Sequence, residues 1–327
     1  MTGLLNGLGQ KLAERWVTLL GLPGVLFLAT AAAARTLGHA HALDLGRLTG
    51  RISGWARAPV ATSLGGQVVV LGAVVVAAAA AGLAAQALGA GVQRVALAAD
   101  WHTWPRPLDR AARVLMIRRR ARWAAAIQRY RRQRDADARA LARDGQRADP
   151  ARRRAAYHAV RRIAAEEPER PTWSGDRVHA VEARLSRDHH VDLPLLWPHL
   201  WLVLPESTRT EITAVEQALV RACALGGWAL MYAALTVWWW PAAPLATAIA
   251  VTARHRVRAA TDLYAQLLEA AARLHLTDLA AQLGIDHTGP ADATLGEALS
   301  RRLRASSAGR PGPASSDPSG SSGPSTS

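Results

Sequence analysis

The chain has 327 residues, half of them apolar, and its basic residues exceed its acidic ones by 15. Cys223 is the only cysteine, which excludes an intrachain disulfide and any zinc site built from several thiolates. The charge excess is almost wholly arginine and lies between apolar blocks, a balance that suits anionic phosphate, of a lipid headgroup or of nucleic acid.

The first block opens at Trp16 and runs without charge to Arg35, just long enough to span a bilayer. Gly21, Pro23 and Gly24 weaken a soluble helix but are tolerated in lipid. Two readings stand for it, a retained anchor and a cleaved signal peptide. The connection that follows is moderately polar, with Arg35, Arg47, Arg51 and Arg57 against Asp44, and with His39 and His41, which have only Asp44 as a further nearby metal-binding partner. The second block, residues 65–91, carries no charge and consists largely of valine, alanine and glycine. Ala78 with Gly82, and Ala81 with Ala85, are small residues four apart, the spacing that lets a neighbouring helix approach closely. Residues 1–91 are therefore expected to form a membrane region with two spans.

Residues 92–215 read as a basic, helical cytosolic region. Trp101 and Trp104 follow the second span, where interfacial aromatics belong. From Arg106 to Arg134 there are eleven arginines and one acidic residue, Asp109. Trp123, Ile127 and Tyr130 share one face of this predicted helix. That face either lies along the headgroups, with Arg118, Arg119, Arg120 and Arg122 meeting lipid phosphate, or packs on the rest of the cytosolic region. Asp149-Pro150 predicts a second helix start, and the run from Glu166 to Pro171 a charged break. A further helix is expected over 172–190. Its His179, with His189, His190 and His199, lacks the HExxH arrangement of a zinc enzyme.

Residues 191–205, VDLPLLWPHLWLVLP, are apolar, broken by Pro194 and Pro198, and too short to span a membrane as an ordinary helix. They fit a segment lying at the interface, with Trp197 and Trp201 as anchors, or one packed under the helix bundle. The stretch from Trp197 to Pro205 resembles a tryptophan-proline-arginine-leucine segment found in a family of uncharacterised actinobacterial multi-pass membrane proteins, with His199 standing where that pattern has arginine. The resemblance implies a multi-pass membrane protein and lends this chain no catalytic residue.

The third block runs uncharged from Ala222 to Thr252, too long for one crossing and punctuated by Pro241 and Pro244. It predicts a transmembrane hairpin over 216–253, with Trp238, Trp239 and Trp240 at the far interface. The return span is the short one. Arginines 254, 256 and 258 follow it and, with the basic region, place both termini in the cytosol by the positive-inside rule. Residues 254–305 predict cytosolic helices. Leu263, Leu267, Ala271 and Leu274 form a stripe that either joins two copies of the chain or folds back onto its own arginine-rich region. Residues 306–327 are rich in Ser, Pro and Gly and cannot build a core.

The expectation is thus an all-α integral protein of the bacterial cytoplasmic membrane with about four crossings. No phosphate loop, nucleophile elbow, dinucleotide fingerprint or metal motif occurs, so no catalytic, cofactor or metal residue is assigned. A scaffolding role with a cytosolic face that binds anionic lipid fits best. The alternatives are a membrane-tethered nucleic-acid binder and a channel or transport accessory subunit.

Overall fold

Val, Ala and Gly fill the second apolar block, and in the computed structural model residues 65–91 lie within one helix. The structure describes residues 22–57, 63–99, 101–145 and 149–308. The start of the first apolar block and the end of the Ser/Pro/Gly tail lie outside the described residues. The fold is all-α, and its helices in chain order are α1 Leu22–Leu37, α2 Leu45–Ala56, α3 Leu64–Leu97, α4 Arg106–Asp144, α5 Pro150–Ile163, α6 Trp173–His189, α7 Leu193–Val203, α8 Glu206–Leu235, α9 Ala242–Gln282 and α10 Ala293–Ala308. The described residues divide into two units, one of residues up to 180 with 210–266, the other of 181–209 with the residues from 267 onward.

Among the described residues, two helices are long and apolar enough to cross a membrane, α3 and α8. Both exceed the expected spans. Ser63 caps the N-terminus of α3 by accepting from Gly66 N at 3.1 Å, and Ala98 ends it in a left-handed turn, so 34 residues are helical. The helix α1 is described over 16 residues. In α9, Arg254 follows only twelve uncharged residues from its start at Ala242.

Small residues set how these helices meet in the first unit. A Cβ on Gly24 of α1 would run into the carbonyl of Ala78, and one on Gly227 of α8 into that of Ala85. One on Gly89 would lie 2.7 Å from Cα of Ala224. Ala78, Ala81 and Ala85 are all buried, the face on which their four-residue spacing predicted contact. Phe27 of α1 meets Tyr232 of α8 edge to face, with centroids 5.4 Å apart. Tyr232 and Leu235 pack with Ala242 and Ala246, whereas Leu219, Ala222 and Cys223 pack with Val257. The order of these contacts makes α1 parallel to α8, and α3 and α9 antiparallel to it.

The bundle's ends differ. At one end His39 Nε2 lies 2.9 Å from the carbonyl of Val237, and Trp239 Nε1 donates to that of Ala42 at 2.9 Å. At the other, α3 stops against the start of α6, beside the arginine-rich α4. Outward faces of α3 are bare: Val68, Leu71, Val76, Leu83 and Leu88 are exposed. Exposed apolar surface of this extent marks a protein or membrane interaction face.

The second unit contains the proline-interrupted segment. Residues 193–203 are helical, with Pro194 in the first turn, where no N–H is needed, and Pro198 inside. Leu196 and Leu200 are buried. Residues 277–282 belong to α9, which runs on to Gln282. In the same unit Arg184 holds Glu269 at 2.5 Å, and Arg273 holds Asp188 at 3.1 Å.

Candidate anion site

Three carbonyls and one carboxylate position the basic layer of the first unit. Thr172 Oγ1 donates to the carbonyl of Ala96 at 2.6 Å, and Arg170 Nη1 to that of Ala98 at 3.2 Å. They take up acceptors that α3 leaves unsatisfied at its C-terminus. Gly175 lets the start of α6 pass close to the carbonyl of Leu97, where a Cβ would clash. Asp176, 5% exposed, then becomes a hub. Its Oδ1 accepts from the backbone N–H of Glu169 and Arg170 at 2.9 and 2.6 Å, and its Oδ2 accepts from Arg119 at 2.6 Å. Arg119 also donates to the carbonyl of Ile163 at 3.0 Å. Burial pushes the Asp176 carboxyl up, against the pull of those N–H groups and of Arg119, and burial pushes the Arg119 guanidinium down. Thus α4, α5 and α6 are held around one partly compensated buried pair.

A cavity of about 450 Å³ opens beside this hub. The helix α5 contributes His158, Arg161 and Arg162, α6 contributes Trp173 and Arg177, and α9 contributes Arg258 and Asp262. Four arginines and a histidine thus face one carboxylate. That carboxylate is already engaged by Arg177. Arg258 stacks its guanidinium 4.6 Å from the centre of the Trp173 ring, a cation–π contact that fixes its plane. It also reaches the carbonyl of Arg162 at 3.5 Å. Burial, then repulsion from Arg254 and Arg119, lowers the pKa of Arg258. The second cause reflects like charge close to Arg258. Planar, pre-oriented guanidinium groups around an open cavity match phosphate oxygens.

The arginines expected to meet phosphate fall into two groups. Arg118 and Arg122 are exposed on α4. Arg119 is committed to Asp176, and Arg120 pairs with Glu167 at 3.1 Å and donates to the carbonyl of Pro168. The aromatic face of α4 turns toward α5: the Tyr130 and Tyr157 rings lie 5.8 Å apart, and Trp123 is half-buried with its Nε1 unpartnered. Trp101 is buried against Ala98 and Ala112, with Trp104 and Met116 packed around it, because the chain folds back immediately after α3. Trp197 and Trp201 are half-buried neighbours with rings 5.9 Å apart. Trp238 and Trp240 are exposed and Trp239 is tied to Ala42. Of the leucine stripe, Leu263 and Leu274 are exposed, Leu267 is half-buried and Ala271 is buried.

The lining residues of the cavity escaped the sequence reading. His158, Trp173 and Asp262 look like ordinary surface residues in helices far apart in the chain. The one visible signal was the arginine run at 254–258, read only as a topology marker. Among the described residues no group of three His, Cys, Asp or Glu side chains is placed to hold a metal ion. No known family model, curated protein or solved structure matches the chain.

Proposed function

We propose that the chain is an integral protein of the bacterial cytoplasmic membrane, with four crossings formed by α1, α3, α8 and α9. Its basic layer, α4 to α6 with the middle of α9, lies at the cytosolic surface and holds anionic phosphate groups there, in a scaffolding rather than a catalytic role. One observation carries the reading: a helix bundle with a bare apolar outside ends in a layer whose arginines surround an open cavity. Apolar surface of this extent is stable in lipid, and lipid phosphates begin where the hydrocarbon stops. Trp238 and Trp240, exposed at the opposite end, suit the other interface. The uncharged part of α9 extends about 18 Å, shorter than the bilayer core, so this crossing draws on the tryptophan turn or on local thinning. The resemblance of the Trp197–Pro205 segment to multi-pass membrane proteins supports the same reading.

Reporter fusions after Gly50, Ala140, Ala242 and Ser300 test the topology and should report outside, inside, outside and inside. An outside signal at Ala140 would overturn it. For the phosphate role, the full-length protein in neutral nanodiscs should bind phosphatidylglycerol vesicles more tightly than duplex DNA at equal salt. The reverse order favours the nucleic-acid alternative.

A further inference from the structure

A second cavity, of about 830 Å³, lies among α1, α3, α8 and α9 within the first unit, away from the arginine cluster at Trp173. Its size is that of a ligand pocket, and its walls are graded. Leu26, Leu225, Trp228, Tyr232 and Ile249 make the deep part apolar. The charged lining residues are Arg221 of α8, Arg256 of α9 and Glu216 of α8. Val257, the neighbour of Arg256, packs with Leu219 and Ala222, which puts the two arginines at one level of the bundle.

We propose that this groove holds one anionic glycerophospholipid, its phosphate between Arg221 and Arg256 and an acyl chain running down to Trp228 and Tyr232. The proposal rests on the membrane reading above and adds a specific occupant to it. Three features argue for it. The first is length. Arg221 and Tyr232 are three turns apart on α8, about 16 Å, close to one leaflet of a hydrocarbon core about 30 Å thick. The second is charge. Among the described residues neither arginine has a carboxylate partner, and two cations beside Glu216 leave the end of the groove one positive charge in excess. A lipid with one net negative charge neutralises it, and a zwitterionic lipid does not. The third is polarity along the groove. Gln86 of α3 lines the wall part-way down, near the level where Ala85 meets Gly227. An amide there can donate to a glycerol ester carbonyl, whereas a groove for a purely apolar occupant gains nothing from it.

Native mass spectrometry of the full chain, purified and exchanged into micelles containing equal phosphatidylglycerol and phosphatidylcholine, tests this. One phosphatidylglycerol should remain per chain. Arg221→Gln with Arg256→Gln should lower its retention about fivefold per arginine. Leu26→Trp, which leaves both charges in place and narrows the apolar part, should lower it as well. Equal retention of the two lipids, or phosphatidylglycerol retention unchanged in the arginine double variant, would overturn the proposal. Failure of retention while the four fusions read as expected refutes the groove alone. An outside signal at Ala140 instead refutes the membrane topology on which it stands.

Discussion

Arg119 and Asp176 are joined at 2.6 Å between α4 and α6, and both side chains are largely buried. This pair joins the arginine-rich helix to the segment that caps α3. It does so from the middle of a run, Arg118 to Arg122, whose other members face outward or pair at the surface. Arg119 is therefore structural and Arg120 is engaged at the surface, which leaves Arg118 and Arg122 facing outward. The carboxylate accepts two backbone N–H groups as well, so removing it orphans three donors at once.

Asp176→Ala should accordingly destabilise the protein by about 3 kcal/mol, the scale for stranding one member of a buried pair. Arg119→Met should also destabilise it. Combining Arg119→Met with Asp176→Ala should cost less than the sum, because the second change removes a charge the first has stranded. Thermal unfolding in one detergent, over the four members of the cycle, measures this. Strict additivity would show that the two side chains are not coupled.

A second prediction concerns the bundle seam. Gly227→Ala places a methyl group against the carbonyl of Ala85, which belongs to the backbone of a long helix and cannot swing aside. Moving α3 from α8 should cost about 1–3 kcal/mol. Gly72→Ala is the control, since nothing lies within 4 Å of a Cβ there. It should be neutral or stabilising, because alanine favours helix over glycine. Equal melting temperatures for the two variants would place the seam elsewhere.

This contrast also marks how far the sequence could be read. The spacing of Ala78, Ala81 and Ala85 showed one half of the seam, since small residues at four-residue intervals share a helix face. The other half, Gly24 and Gly227, sits in sequence that is small and apolar on every side, where periodicity selects no face. Helix starts were legible where a side chain caps the backbone, as at Asp149-Pro150, where Asp149 accepts from Ala151 N at 2.9 Å. The anion cavity was not legible. It brings Trp173 of α6 to Arg258 of α9, with α7 and α8 between them in the chain, and no local pattern encodes that meeting. Trp101 misled for a related reason: an aromatic after an apolar span suits an interface, but here a 3-10 turn at Trp101–Thr103 folds it under α4.

The cavity at Trp173 predicts a site-specific dependence on charge. Arg161→Gln with Arg162→Gln removes two of its lining cations, neither of which has a carboxylate partner among the described residues. Binding to phosphatidylglycerol vesicles should fall about fivefold per residue at low salt, and less near 0.15 M salt, where exposed charges are screened beyond about 8 Å. Arg152→Gln with Arg153→Gln, on the same helix but outside the lining, changes net charge equally. Equal losses from the two double variants would mean that the layer acts as a diffuse positive surface and not through the cavity.

The last prediction uses a carboxylate of the second unit. Asp292 precedes α10, where its Oδ1 accepts from Leu295 N at 2.9 Å and from Thr294 Oγ1 at 2.8 Å. The backbone bond from Leu295, then the hydroxyl of Thr294, holds its pKa below the ordinary value. A depressed carboxyl pKa fixes the sign. The stabilisation is complete above the value of an unfolded aspartate, about 3.9, and is lost as pH falls through the lower folded value. Hydrogen exchange corrected for its intrinsic pH dependence should therefore show the first turn of α10 protected at pH 6 and less protected at pH 3. Asp292→Asn retains a capping oxygen but cannot titrate, so its protection should stay level between these pH values. If the wild-type and Asn proteins lose protection equally on acidification, another group drives the fraying, and the cap of α10 is not its cause.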